Sequence, residues 1–484
     1  MKNILVTGAT GYIGGRLIPR LVNTGHPVRV FVRDAGRLQG RPWESRVDVY
    51  QGDVLQAETL PPAMQDVSTA YYLIHSMSGS DDFHQRDLDA ARNFAQAARE
   101  ADVERIIYLG GLGDPEADLS HHLQSRQATG NELAQHGVPV TEFRAAIIVG
   151  SGSISFEMIR YLTERLPVMI CPQWVFTRVQ PIAIQDVVQY LSSALDNPAS
   201  AGKIIEIGGK DVLTYGEMMK TYADIRGLKR FLIPVPVLTP SLSSHWVHWM
   251  TPVSASIVRP LIEGLKNEVI VRDQRAAEIF PLIHPVGYRD AVQKALANLT
   301  ADQVETRWSD SLSSSQGDRP PVILENREGM IIERREVRVR AAPDDVYRVY
   351  SRLGGEQGWL YFDWAWRLRG FLDRLLGGSG LRRGRRTPDQ VRPGDAVDFW
   401  RVEAVKPGQS LRLRAEMKLP GQAWLEFQSQ PSGNDDCQLI QTAFFAPKGL
   451  SGFLYWYLLY PVHSLIFSGL TARIKERAEN PSPH

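Results

Sequence analysis

Short apolar runs alternate with stretches of helical periodicity through the first third of the chain. Ile4–Val6, Val28–Val32, Val47–Tyr50, Ala70–Ile74, Arg105–Leu109 and Val140–Phe143 are rich in β-branched and aromatic residues and predict strands. Between them Gly14–Thr24, Ala57–Met64, Asp87–Ala101 and Ser125–His136 predict amphipathic helices. Strands alternating with helices imply right-handed crossovers and a parallel sheet covered on both faces. From Gly150 to about Glu305 the pattern loosens, with strand-like Ile204–Ile207 and helix-like Tyr215–Ile225. Ser309–Pro321 is rich in serine and proline and reads as a linker. Beyond it arginine, tryptophan and long strand-like runs such as Leu411–Met417 and Ala423–Gln428 mark a second domain. The expected division is 1–305 (substrate region about 150–305), a linker 306–328, and a second domain 329–484.

Two apolar stretches complicate this picture. Phe231–Val258 carries no Lys, Arg, Asp or Glu, but prolines and serines interrupt it, so a pocket wall or packing surface is expected rather than a spanning helix. Leu450–Leu470 is also free of those residues and strongly aromatic, with Pro461 and His463 near its centre. It predicts a broken, partly buried helix, with peripheral membrane contact as the competing expectation.

Composition narrows the class. With 55 Lys+Arg against 54 Asp+Glu the net charge is +1, which offers no global electrostatic case for binding nucleic acid. Cys171 and Cys437 match no metal-ligand or redox spacing, which suits a reducing compartment. His245 and His248 lack a nearby Cys, Asp or Glu, so no metal site is expected. The opening residues hold too short an apolar run for a secretory signal, and a cytoplasmic location is the expectation.

Gly8-Ala9-Thr10-Gly11-Tyr12-Ile13-Gly14 follows the first strand directly and opens the first helix. In this G-x-x-G-x-x-G pattern the first glycine permits a tight turn and the second lets backbone N–H groups approach a pyrophosphate. The third packs the helix closely, and the helix N-terminus stabilises the anion. At the end of the second strand, Arg33 places a cation where a ribose 2′-phosphate would lie, and Val32 stands where an NAD-selecting acid is sought. NADPH is therefore the expected cofactor. In the alternative, Arg33 is a solvated charge, Asp34 meets the ribose, and NAD binds. Gly52-Asp53-Val54, after the third strand, could offer a carboxylate to the adenine amino group, or Asp53 could be only a cap.

These residues resemble the short-chain dehydrogenase/reductase superfamily in its extended or atypical branch, over roughly residues 1–300. The likeness continues through Tyr71-Tyr72-Leu73-Ile74-His75-Ser76, Arg105–Gly111, Gly137–Arg144 and Pro181–Val187. It implies a Rossmann-type doubly wound parallel α/β sheet, with Gly8, Thr10, Gly11, Tyr12, Ile13, Gly14, Arg33, Asp53, Val54, Leu73, His75 and Gly110 around a nicotinamide cofactor. The family's alcohol-forming members use a Tyr general acid, a Lys four residues on and a Ser after the fifth strand. Here the corresponding positions carry His122, Arg126 and the pair Gly110-Gly111. His122 could act as general base and Arg126 could bond the nicotinamide ribose. Alternatively the two belong to an exposed polar helix start.

Met330–Val339 followed by Ala341-Ala342-Pro343-Asp344-Asp345-Val346-Tyr347 resembles the first strand and helix entry of START-like helix-grip proteins. The whole chain resembles a bacterial group of nucleotide-binding proteins with such an α+β domain at the C-terminus, which implies strands curved around a long helix and an apolar ligand. Trp359, Tyr361, Trp364 and Trp366 could pack a core or line that ligand. Arg382-Arg383-Gly384-Arg385-Arg386 could dock a phosphate or an anionic-lipid headgroup, or remain a solvated loop.

Two functional classes follow. In the first, NAD(P)H donates a hydride to a small hydrophobic carbonyl or quinone-like acceptor. In the second, nucleotide occupancy acts as a signal or scaffold without turnover. The departures at His122, Arg126 and Gly110 favour the second, and the complete glycine pattern with a full substrate region favours the first. The enzyme is the expectation, because quinone-type reduction does not need a protein-derived proton at the usual position.

Overall fold

The computed structural model describes residues 3–38, 41–74, 83–114, 116–235, 264–297, 322–327, 329–355, 358–375, 391–432 and 436–480. The chain divides into two compact units, Met1–Ser315 and Gln316–His484. His75, His245, His248, most of Phe231–Val258 and the Arg382–Arg386 cluster lie outside the described residues.

The N-terminal unit is built on seven parallel strands: β1 (Asn3–Thr7), β2 (Val28–Val32), β3 (Asp48–Gln51), β4 (Val67–Tyr72), β5 (Arg105–Gly111), β6 (Val140–Ala145) and β7 (Ile204–Ile207). Their order across the sheet is β7-β6-β5-β4-β1-β2-β3. The order reverses between β1 and β4, which opens a crevice at the carboxyl ends of those strands. Helices α1 (Gly14–Asn23), α2 (Phe83–Glu100), α3 (His121–Ala134), α4 (Ile154–Arg165), α5 (Ile184–Ser193) and α6 (Tyr215–Arg226) connect or follow the strands.

Alternation along β1 shows how both faces are filled. Ile4 and Val6 join a core with Leu17, Ile18 and Leu21 of α1 and Val187 and Leu191 of α5. Leu5 joins the opposite core, with Phe94 of α2 and Leu133 of α3. Side chains at successive strand positions point to opposite faces, so a strand covered on both sides becomes an uninterrupted apolar run. Burying each of these side chains contributes roughly 1.5–3 kcal/mol.

The C-terminal unit is an antiparallel sheet of seven strands: β8 (Val322–Arg327), β9 (Met330–Val339), β10 (Ala396–Val397), β11 (Trp400–Lys406), β12 (Ser410–Ala415), β13 (Gly421–Pro431) and β14 (Cys437–Pro447). The order is β8-β9-β14-β13-β12-β11-β10. With α8 (Pro343–Tyr350), α9 (Asp363–Leu375) and the long α10 (Gly449–Glu479), this is the helix-grip layout that the resemblance implies; α7 is Tyr288–Ala297 of the first unit.

Two expectations change here. Residues 322–327, placed in the linker, form edge strand β8 and pair antiparallel with β9, so Met330–Val339 is the second strand and not the first. Gly329 lies between the two strands at φ 86°, a backbone conformation that glycine adopts without Cβ strain. The helix expected to break near Pro461 instead runs continuously from Gly449 to Glu479. Pro461 is exposed, so the carbonyl whose bond it removes can turn to water, and the helix continues past it.

By length and composition α10 is apolar enough to cross a membrane. One of its faces, with Phe453, Trp456, Phe467 and Leu470, is buried, while Leu454, Leu458 and Leu465 are exposed.

Candidate functional site: a nucleotide cleft with an altered proton-donor edge

The glycine loop runs from the end of β1 into α1, at the point where the sheet order reverses. Thr7 fixes its start: Thr7 Oγ1 donates to the Tyr71 carbonyl at 2.9 Å and accepts from the Leu73 amide at 3.2 Å. Gly8 turns the chain at φ 69°, and a Cβ there would come within 2.4 Å of the Leu73 carbonyl oxygen. A Cβ on Gly14 would come within 2.4 Å of the Gly8 carbonyl oxygen. Gly8 and Gly14 are therefore demanded by the fold.

Gly11 differs. It is exposed, and a Cβ there would meet only the Gly8 oxygen at 3.1 Å. Its own amide donates back to that oxygen at 2.9 Å. The space above Gly11 is thus left open by the loop itself. No side chain caps α1 and no acidic residue stands in its first turn. An uncapped, glycine-lined helix start aims unsatisfied N–H groups and the positive end of the helix dipole at whatever approaches. The cradle fits a pyrophosphate.

Neighbouring residues hold the loop. Ala9 is fully buried and Thr10 is half-buried. Tyr12 lies under the Arg16 guanidinium, 3.8 Å from its ring centroid, and its hydroxyl sits against Gly150. Arg16 donates to the Ser151 carbonyl at 2.7 Å, tying α1 to the loop after β6. Ile13 is the N-cap position of α1. Arg41, which sequence reasoning missed, lies across the loop with its guanidinium 3.4 Å from the Ala9 carbonyl oxygen and 3.5 Å from that of Thr10. It adds a cation at the loop, while Arg33 is exposed at the end of β2. The only hint in the sequence is the four-residue spacing of Arg33, Arg37 and Arg41.

Asp34 and Asp53 both close local turns. Asp34 Oδ1 accepts from the Gly36 amide at 2.9 Å. Asp53 Oδ1 accepts from the Leu55 amide at 3.1 Å, while its carbonyl accepts from Thr59. Val54 is buried, and its carbonyl accepts from Asn93 at 3.0 Å. Leu73, half-buried at the end of β4, forms the wall against which Gly8 packs.

The far edge of the cleft, after β5, is built differently. A Cβ on Gly110 would lie 2.9 Å from Glu142 Oε1, and one on Gly111 would lie 3.0 Å from Leu123 and 3.5 Å from Arg126. There is little room for a serine at either position. His122 and Arg126 sit one turn apart on α3 and so share a face. His122 is half-buried, and Arg126 stacks over the Tyr108 ring at 5.2 Å while donating to the Leu109 carbonyl.

Beneath them lies Glu142, also missed from sequence. Gly110 on β5 and Gly130 on α3 leave a slot for its carboxylate, which bonds Arg144 Nε at 2.7 Å. Burial pushes its carboxyl upward against the pull of Arg144 and Arg126. A Glu inside the predicted strand at 140–143, two residues from an Arg, was the available signal. Tyr108 does not replace the missing tyrosine. Its hydroxyl donates to the Arg126 carbonyl at 2.8 Å, and burial pushes it up to about 12.

Comparison with known proteins agrees with this geometry. Residues 8–143 match a family model described as NAD(P)H-binding, and residues 330–470 match one described as a protein of unknown function. A 3 beta-hydroxysteroid dehydrogenase/Delta 5→4-isomerase of Mycobacterium tuberculosis is 30% identical over 118 residues, 22% of this chain and 31% of that protein. The chain thus spans under a third of that relative. Sterol demethylase protein B of Methylococcus capsulatus is 31% identical over 293 residues, 57% of this chain and 83% of that protein. A triphenylmethane reductase of Citrobacter sp. shares the fold, with TM-score 0.50 and 19% identity over 61% of this chain and 99% of that one.

The fold and the loop define a nucleotide-binding Rossmann unit. The chain belongs to the NAD(P)H-binding, extended short-chain dehydrogenase/reductase-like family, with a C-terminal domain of unknown function.

Proposed function

We propose that the protein is an NADPH-dependent oxidoreductase that reduces a small hydrophobic carbonyl or quinone-like acceptor, and that its C-terminal unit binds an apolar ligand. The observation that carries the reading is the open face of Gly11, framed by Gly8 and Gly14 at the sheet's switch point, with Arg41 lying across the loop. The bound nicotinamide supplies a hydride.

The chain's own residues bind and orient. The start of α1 takes the pyrophosphate. Arg33 and Arg41 favour a 2′-phosphate over a bare ribose, since a guanidinium bonds phosphate through a rigid fork. Arg126, anchored on Leu109, stiffens the end of β5 beneath the nicotinamide side. His122, one turn earlier on the same helix face, is the proton donor available to a carbonyl acceptor. A quinone accepts its protons from water and does not need it. The steroid and sterol named for two relatives support a hydrophobic acceptor.

The test is to follow NADPH absorbance with the purified full-length protein and a panel of quinones and hydrophobic ketones. Acceptor-dependent oxidation above the protein-free rate supports the reading. Tight NADPH binding with no oxidation by any acceptor replaces it with a nucleotide-sensing or scaffold role.

A further inference from the structure

The long helix α10 uses only one face to pack against its own unit. Phe453, Trp456, Phe467 and Leu470 are buried there, with Trp456 stacked on Phe445 of β14 at 5.4 Å. At about 100° per residue, Leu450, Leu454, Tyr457, Leu458, Val462 and Leu465 fall together on the opposite face. All six are exposed, Leu458 by 75%. No Lys, Arg, Asp or Glu stands between Gly449 and Ala472. The result is an apolar stripe about 22 Å long, where a surface helix ordinarily carries charge.

A second stripe runs along α9. Trp364, Leu368 and Phe371 are four and three residues apart and all exposed, Trp364 by 63%, while Trp366 and Asp373 on the other side are buried. The two helices are antiparallel neighbours. Tyr361, just ahead of α9, meets Gly469, and Arg369, further along, lies 5.1 Å over the Tyr455 ring. Arg369 and Tyr455 are both half-buried, on the flank between the buried and exposed faces of their helices. The two stripes therefore open to the same side.

The charge nearest these stripes among the described residues is basic. Both acids of α9 are engaged by backbone amides: Asp363 Oδ1 accepts from Trp359 at 3.1 Å, and Asp373 Oδ1 accepts from Lys418 at 2.7 Å. Lys418 and Lys448, the latter just before α10, are exposed. In sequence, the residues between Leu375 and Val391 add Arg382, Arg383, Arg385 and Arg386 against one acid, Asp389. An exposed apolar helix face with tryptophan and tyrosine among its residues and cations around it suits the headgroup region of a bilayer. Anionic headgroups complement the cations. A second copy paired here about a two-fold axis would instead set like charges against each other. Because its other face is held by the sheet, α10 would lie along the membrane and not cross it.

We propose that the exposed stripes of α9 and α10 form one docking surface for an anionic lipid bilayer, with Leu454, Leu458 and Trp364 inserting at headgroup depth. Docking of this kind is independent of hydride transfer.

The experiment follows co-flotation of the full-length protein with vesicles of phosphatidylcholine, alone or with about one-third phosphatidylglycerol, at about 0.1 M salt. Saturable binding to the anionic vesicles is expected, at least about tenfold weaker to phosphatidylcholine alone and weakening as salt rises. Leu454→Ser combined with Leu458→Ser removes only exposed apolar surface, so the melting temperature should hold within a few degrees. Its vesicle affinity should fall about tenfold or more. Bimane attached to Leu458→Cys should shift its emission to the blue with anionic vesicles, since both native cysteines are buried and stay unlabelled. No co-flotation with either vesicle, or unchanged affinity in a folded double-serine variant, overturns the docking surface. Equal binding to both lipid compositions overturns its anionic preference. A concentration-dependent dimer in place of vesicle binding, lost in the serine variant, assigns the face to a second copy and overturns the proposal.

Discussion

At the β1 end of the cleft, loop, helix start and Arg41 combine into a cradle of the kind a dinucleotide needs. At the β5 end the same scaffold keeps its shape, but the positions that the resemblance assigns to serine, tyrosine and lysine hold glycine, histidine and arginine. The reason is visible in the packing: Gly110 and Gly130 yield their Cβ space to the Glu142 carboxylate, and Gly111 yields its own to Leu123 and Arg126. One edge is specified by the ligand it must receive, the other by a buried charge network that leaves little room for the usual hydroxyl. Cofactor binding and proton delivery are therefore separable, and substitutions should affect them separately.

The largest effect is expected at the glycine loop. Gly11→Val should keep its melting temperature within a few degrees and lose NADPH affinity at least about 100-fold, measured by fluorescence titration. Gly14→Val should instead destabilise the N-terminal unit by on the order of 3 kcal/mol or more, because its Cβ would strike the Gly8 carbonyl. A Gly11→Val variant that binds NADPH normally would remove the loop from the site.

Next comes cofactor choice. Replacing Arg33 and Arg41 together with serine should cut the preference for NADPH over NADH about 10- to 100-fold, read as the ratio of dissociation constants. An unchanged ratio would return Arg33 to a solvated surface role.

His122→Phe sharpens the contrast between the two edges. It should lower kcat for a ketone about tenfold or more, and change kcat for a quinone less than about threefold. Equal losses with both acceptors would make His122 a structural residue.

The smallest effect lies in the C-terminal unit. His463 faces Arg369 of α9 and, across Phe467, Arg335 of β9, and its folded pKa is depressed to about 4. Protons therefore bind the unfolded chain more readily. This contribution is fully present above about pH 6.5 and is lost as the pH falls through 4, the loss reaching about 2 kcal/mol at pH 5. In His463→Phe the C-terminal unfolding transition should be correspondingly less acid-sensitive between pH 7 and 5. Matching acid sensitivity in both proteins would show that another group is responsible.

The parallel sheet was legible because a strand buried on both faces is an apolar run, as Ile4–Val6 and Ile106–Leu109 illustrate. The glycine loop was legible because its spacing is tied to one local turn. Arg41 and Glu142 were not, since their roles depend on contacts with Ala9, Gly110 and Gly130 that only folding brings together. β8 was hidden by the prolines before it, and as an edge strand it relies on β9 for its pairing. Pro461 misled in the opposite direction: a proline on an exposed helix face removes one hydrogen bond without ending a helix that is packed along its other side.

The central claim is that an intact cofactor cradle serves hydride transfer despite the altered edge beyond β5. NADPH oxidation by the full-length protein, monitored across quinones and hydrophobic ketones, tests it most directly. Turnover that Gly11→Val abolishes is the expected result. Tight NADPH binding that no acceptor converts into oxidation would contradict it.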